Sequence, residues 1–190
     1  MSQLKDKIIT TALQLFEKNG YHGVTVNQIV EESGTSKGGF YHHFTSKDEL
    51  LFLIHDYFIQ YALDKAKHAI QTYTTSTERL QAIIYYHVQV FELYKPHISV
   101  FYQESKYLKP EYEEIIKRKR DEYRDIVFRV IQDGIHSGEF RSELSVEMTG
   151  MAILGMLNWM YKWYKTDREK TIEEIAHHFI DLILQSVLVK

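Results

Sequence analysis

Cysteine is absent from the chain of 190 residues, which excludes a disulfide framework, a thiolate zinc site and a cysteine nucleophile. Proline occurs only twice and glycine nine times, and no stretch is of low complexity, so a disordered or collagen-like chain is excluded. No run of about 18 consecutive apolar residues is present, so no membrane span is expected. The N-terminal stretch MSQLKDKIITTALQLFEKNG lacks the basic start and continuous apolar core of a secretory signal. A soluble, cytoplasmic chain is the expectation. No segment alternates like a strand between hairpin turns. P-loop, GxGxxG and HExxH runs are missing too, so no enzyme activity and no cofactor are expected.

What the chain does have is apolar and aromatic bulk. Hydrophobic residues make up 44%, with 14 Tyr, 10 Phe and 2 Trp. That much ring area suits a lined cavity, a large interface, or both. The net charge is −3, which argues weakly against a nucleic-acid partner. The balance differs along the chain, however. Residues 1–47 hold five basic and four acidic side chains, the remainder eighteen and twenty-two. Local placement, not the sum, decides phosphate contact.

Helical periodicity runs from end to end. Leu4, Ile8, Ile9, Ala12, Leu13, Leu15 and Phe16 share a face at spacings of three and four, and Asn19-Gly20 ends that helix. Thr25, with Gln28 three residues on, forms a capping box for a second helix that buries Val26, Ile29 and Val30 and stops at Ser33-Gly34. Ser36 caps a short third helix, Lys37 to Phe44. Ser46, with Glu49, caps a long fourth. Further helices are read from Thr77 to Tyr94, ended by Pro96; from Pro110 to about Ser137-Gly138; from Ser145 through Met156, Trp159 and Trp163; and from about Thr171 to Leu188. The fold class is all-α. A helix-turn-helix domain is expected over 1–47 and a helical effector-binding and dimerisation domain over 48–190.

Two short helices joined by a tight Gly-containing turn are the plan of a helix-turn-helix. The third helix offers little to a core: Lys37, Gly38, Gly39, Tyr41, His42 and His43 surround two anchoring rings, Phe40 and Phe44. A helix held down by two rings, with its other face polar and bare, suits close approach to another surface.

The stretch TVNQIVEESGTSKGGFYHHFTSKDELL resembles the DNA-binding domain of TetR-type regulators. The resemblance rests on Thr25-Val26, Ile29-Val30, Gly34, Ser36-Lys37-Gly38-Gly39-Phe40-Tyr41, Phe44, Lys47 and Leu50, preceded by Ala12, Phe16, Gly20 and Tyr21. It is dense over 8–51. It implies a repressor that binds a double-stranded DNA operator as a homodimer and answers to a small apolar effector. Under it, Thr25 gives a hydroxyl and an N–H to phosphate, Ser36 caps the recognition helix, and Lys37 reaches a guanine edge or phosphate. Gly38 lets the backbone approach, Tyr41 and His42 touch phosphates, and Lys47 adds a phosphate charge. Many relatives carry Thr or Ser where Gly39 stands, so direct base readout is expected to be thin and DNA shape to count for more.

The same resemblance implies an effector cavity beyond residue 52 and dimerisation through the last two long helices. The segment from Ile153 to Tyr164 is apolar nearly all round, as a helix buried on every side would be. Met156, Met160, Trp163, Phe179 and Ile183 are the expected dimer residues. The Gly155–Tyr164 run also resembles relatives that sense acyl-CoA thioesters. Phe91, Tyr94, Phe101, Tyr102, Tyr123, Asn158 and Trp159 are candidates to line a cavity for an acyl chain. Arg120 and Arg124 are candidates for coenzyme A phosphates, although the run Lys117–Arg120 reads equally as a solvated helix face. Glu104, with Glu92, keeps an alternative open: a cationic or aromatic drug-like effector and control of efflux. The ten histidines include no pair with a metal-binding partner pattern, and no metal site is expected.

Overall fold

The computed structural model describes residues 3–165 and 170–189. These form ten α-helices and one 3-10 turn: α1 (Gln3–Asn19), α2 (Val26–Glu32), α3 (Lys37–His43), α4 (Lys47–Thr72), α5 (Ser76–Leu93), α6 (Lys95–Glu104), the 3-10 turn Ser105–Tyr107, α7 (Pro110–His136), α8 (Val146–Asn158), α9 (Met160–Trp163) and α10 (Ile172–Val187). Among the described residues the only extended pairing is an antiparallel bridge between Phe140 and Leu188. No described helix is long and apolar enough to cross a membrane. The all-α expectation holds.

The helices begin where the caps are written. Thr25 and Gln28 form a full capping box on α2, and Thr171 and Glu174 do the same on α10. Ser36 Oγ accepts the Gly39 N–H of α3 at 3.0 Å. Ser46 Oγ accepts from Glu49 N at 3.1 Å, while the Glu49 carboxylate reaches past Ser46 to the backbone and hydroxyl of Thr45 at 2.5 and 2.6 Å. Each such cap satisfies an N–H that the helix cannot pair internally.

Two boundaries differ from the sequence reading. Pro96 starts a helix instead of closing the region after α5: it sits in the first turn of α6, where a missing N–H costs nothing. The apolar run expected as one helix through Trp163 breaks after Asn158 and resumes as the four-residue α9.

The chain forms two compact units, and they are not contiguous in sequence. One comprises the chain up to Phe58 together with Tyr94–Lys117; the other comprises Ile59–Leu93 with the chain from Arg118 onward. The first unit takes in α6 because α6 packs on α1. The core of the first unit gathers Ile8, Ala12 and Phe16 of α1, Ile29 of α2, Phe40 and Phe44, Leu50, Leu51 and Ile54 of α4, and Val100 of α6. In the second unit α5 packs along α10. There Phe140, fully buried, lies so close to α7 that a Cβ at Gly134 would stand 2.2 Å from its ring.

Candidate nucleic-acid interface and effector site

In the first unit, α2 and α3 are joined by a turn through Gly34, whose φ of 58° is one that L side chains rarely adopt. The turn closes by Thr35 N donating to Val30 O at 3.0 Å. Phe40 and Phe44 are buried, their rings 5.4 Å apart, and they lock α3 to the core. The rest of α3 faces out: Lys37, Gly38 and His42 are exposed, and so is Tyr41, at 54%. The letters Gly34-Thr35-Ser36-Lys37-Gly38 also fit the G-x-S-x-G string of a nucleophile elbow. No strand precedes them among the described residues, and Ser36 Oγ is a helix cap, so the string carries no hydrolase geometry.

Three expected DNA residues have other employment here. The Thr25 N–H and hydroxyl both donate to Gln28 Oε1, at 2.8 and 3.0 Å, so the capping box occupies the donors expected to meet phosphate. Lys47 Nζ donates to the carbonyls of Tyr21 and Val24, at 2.8 and 2.6 Å, and lies 4.1 Å from the Tyr21 ring centroid. The ammonium thus closes the α1–α2 turn instead of standing free for DNA. At Gly39 the missing Cβ points inward: it would meet Thr35 Oγ1 at 2.7 Å and Leu4 Cδ2 at 3.3 Å. At Gly38 only Ser36 Oγ lies near, at 3.7 Å, which makes Gly38 the open position.

The α1–α2 turn is held from several sides. The Tyr21 hydroxyl donates to Asp48, which also pairs with Lys109 at 2.9 Å. The hydrogen bond from Tyr21 and the Lys109 ammonium hold the Asp48 carboxyl below the usual range, against burial. The Tyr107 ring packs on His22 at 4.2 Å and on Tyr21 at 6.0 Å. Nothing in the spacing of the sequence linked Tyr107 or Lys109 to this turn.

The expected effector residues fall in both units. Tyr94, Phe101, Tyr102 and Glu104 belong to the first. There Phe101 packs against His55 and Phe58, at 5.1 and 5.4 Å. Tyr102 is 41% exposed. Glu104 is buried with Oε1 beside Gly20, which places it at the end of α1 and removes it as the acid of a drug cavity in the C-terminal half. Phe91, Tyr123, Asn158, Trp159, Arg120 and Arg124 belong to the second.

Three of these six converge with a residue that sequence reasoning missed. The Tyr123 hydroxyl of α7 lies 2.9 Å from Nδ1 of His87 on α5. His87 also hydrogen-bonds the side chain of Asn158 at the end of α8, and the buried Phe91 packs 6.0 Å from the His87 ring. Burial drives His87 down to about 4, against the Asn158 bond, and pushes the Tyr123 phenol above its usual range. Both side chains nevertheless keep accessible surface. A histidine amid Tyr85-Tyr86-His87 was visible in the sequence, but only packing shows which face of α5 it takes.

The basic candidates are differently placed. Arg124 is committed to Asp121 and Asp125 of its own helix, at 2.7 and 2.8 Å, and Arg120 is exposed. Between α4 and α7 lies an open groove of about 500 Å³, lined by Lys67, Arg118 and Arg129 but equally by Asp121, Glu122 and Asp125. Its charges balance.

Of the expected dimer residues, Met160 and Ile183 are buried in the chain's own core and are corrected: neither can meet a second chain without leaving it. Met156, Trp163 and Phe179 are half-buried, the last two with rings 6.4 Å apart. The exposed apolar surface lies elsewhere on the same helices, at Met148 and Met151 of α8, Trp159 just beyond it, and Leu182 of α10. Trp159, expected to line the effector cavity, is 59% exposed. A segment that is apolar all round offers no period by which to tell these faces apart. Among the described residues no cluster of three metal-binding side chains occurs.

A short helix with a polar, exposed face, set by a glycine turn and two buried rings on an all-helical chain, is the architecture of a helix-turn-helix regulator. Residues 8–54 match the family of bacterial regulatory proteins of the tetR type, and residues 73–187 match the tetracyclin repressor-like C-terminal domain. The chain belongs to the tetR family. The structure is similar to that of PfmR, a TetR family transcriptional regulator from Thermus thermophilus, with a TM-score of 0.85 and 31% identity over 94% of this chain and 97% of that one. It is similar to AibR, solved in complex with isovaleryl coenzyme A and operator DNA, with a TM-score of 0.79 and 25% identity over 95% and 97% of the two chains. The sequence is 22% identical to the HTH-type transcriptional repressor KstR2 of Mycolicibacterium smegmatis over 96% of this chain and 90% of the relative.

Proposed function

We propose that the protein is a homodimeric transcriptional repressor that binds operator DNA through α3 and is governed by an acyl-CoA effector held in its C-terminal unit. The observation that carries the DNA reading is the outward face of α3: Lys37, Gly38, Tyr41 and His42 exposed over buried Phe40 and Phe44. Two such helices, one from each protomer, would enter successive major grooves roughly 34–36 Å apart. The exposed Met148, Met151, Trp159 and Leu182 support pairing through α8 and α10, since an apolar surface of this kind marks an interaction site. The effector reading is supported by the likeness to AibR, solved with isovaleryl coenzyme A. The place of Glu104 beside Gly20 in the first unit takes support from the drug-like alternative. This function needs no cofactor and no catalysis.

The test is fluorescence anisotropy of labelled DNA from upstream of the protein's own gene, in about 0.1 M salt because phosphate contacts are salt-sensitive. A scrambled duplex serves as the reference, and acyl-CoAs of several chain lengths are added in turn. Sequence-dependent binding that one chain-length class releases is the expected result. Binding that no acyl-CoA alters sinks the effector assignment, and binding no tighter than to the scrambled duplex sinks the DNA assignment at that operator. Sedimentation of Trp159→Glu tests the dimer: a monomer is expected where the unsubstituted chain is a dimer.

A further inference from the structure

The phosphate grip expected of Thr25 and Lys47 is taken up inside the fold, where their donors are held by Gln28 and by the carbonyls of Tyr21 and Val24. A different ammonium stands at the turn that leads into α3. The first turns of α1 lie against that turn and the start of α3: Leu4 Cδ2 is 3.3 Å from where a Cβ on Gly39 would stand, and Lys7 Nζ is 3.5 Å from where one on Gly34 would stand. Lys7, Gly34 and Lys37 are all exposed. Lys7 forms no ion pair or hydrogen bond among the described residues. Its charge is therefore held beside the glycine turn, next to the helix that starts at Lys37, with no carboxylate to neutralise it.

We propose that Lys7 of α1 is a DNA-contact residue, its ammonium meeting a phosphate of the operator backbone where α3 enters the major groove. The inference rests on the DNA reading above. The groove is about 12 Å wide and a helix with its side chains about 10 Å across, so side chains that flank the start of α3 face the phosphate walls while those on α3 itself face the bases. A lysine that meets a phosphate releases a counterion whatever the base sequence. Lys7 thus adds grip without selectivity. It does so beside a recognition helix in which Gly38 and Gly39 carry no side chain to reach a base. Gly39 is bare for an inward reason, since its Cβ would meet Thr35 and Leu4. The room left there seats Leu4, and that seat brings α1, with Lys7, up to the turn.

Operator titration by fluorescence anisotropy at three salt concentrations tests it, with Lys18→Met as the control. Lys18 is exposed in the last turn of the same helix, roughly 16 Å along the axis from Lys7 and beyond the screening length of about 10 Å at 0.1 M salt. Its loss changes the net charge equally. Lys7→Met is expected to lower the slope of log affinity against log salt by about one for each protomer on the DNA. It should weaken binding to the operator and to the scrambled duplex alike, by at least roughly fivefold at about 0.1 M salt. Lys7→Arg keeps the charge and is expected to keep the slope, and Lys18→Met should leave it unchanged. Melting temperatures check that each variant is folded. If the unsubstituted protein binds its operator and Lys7→Met keeps the full salt slope, or Lys18→Met lowers the slope as much, Lys7 is no contact while the DNA reading stands. If the unsubstituted protein binds neither duplex, the DNA reading falls and the contact with it.

Discussion

The ammonium of Lys47 lies 2.8 Å from the carbonyl oxygen of Tyr21 and 4.1 Å from the centroid of the same residue's ring. One side chain at the start of α4 thus ties down the turn between α1 and α2, with a second bond to Val24 O at 2.6 Å. Lys47→Met is expected to destabilise the fold by about 2 kcal/mol, in line with charge-assisted bonds to carbonyls that are then left open. The dependence of DNA binding on salt should stay the same. Urea unfolding and an operator titration at three salt concentrations check both. A salt slope lowered by about one would show instead that Lys47 meets a phosphate.

Lys37 gives the opposite pattern. It is exposed at the start of α3 and has no core role. Lys37→Ala is expected to leave stability within about 0.5 kcal/mol and to weaken operator binding. If Lys37 reads a base, the loss of about 1–3 kcal/mol falls on the operator and not on random DNA; if it meets a phosphate, both weaken and the salt slope drops by about one. Unchanged affinity in both assays would remove Lys37 from the interface.

His55 is wholly buried, its Nδ1 2.7 Å from Leu51 O and its Nε2 without a hydrogen-bond partner. Burial drives its pKa down to about 4, against the bond to Leu51 O, and nearby His97 lowers it further. The unfolded chain, near 6.5, therefore takes up this proton before the folded one. Stability from His55 is full above about pH 6.5 and falls as the pH drops toward 4, by at most about 1.4 kcal/mol per pH unit. His55→Leu is expected to flatten the fall in stability between pH 7.5 and 5, measured by urea unfolding at one protein concentration. A variant whose pH dependence matches that of the unsubstituted protein would refute the assignment.

Gly134 and Gly155 separate helix propensity from packing. An alanine gains about 1 kcal/mol over glycine inside a helix. At Gly155 nothing lies within 4 Å of the added Cβ, whereas at Gly134 the buried Phe140 ring stands 2.2 Å away. Gly134→Ala is expected to be net destabilising, because overpacking costs about 1–3 kcal/mol, and its melting temperature should fall below that of the unsubstituted chain. Gly155→Ala should leave the isolated chain as stable or more so. Its Cβ would stand on α8, which also carries the exposed Met148 and Met151, so weakened self-association is the expected cost. A Gly134→Ala protein that melts higher would mean that Phe140 can move aside.

The sequence by itself determined most of the helices, their caps, and the helix-turn-helix. These depend on neighbours three and four residues apart: Thr25 with Gln28, Ser36 with Gly39, Phe40 with Phe44. Such local rules also failed at Pro96, which reads as a stop or as a first-turn residue until the chain beyond it is seen to wind. Tertiary structure alone decided which atoms were free to act. Lys47 turned to the carbonyls of residues 21 and 24, Glu104 to Gly20, and Met160 and Ile183 to the core, while Trp159 was left outside. His87 met Tyr123 across 36 residues of sequence. A charge, a ring or an imidazole has the same local pattern whichever partner it finds; the partner is set by helices packing across the fold, and no periodicity along one helix records that.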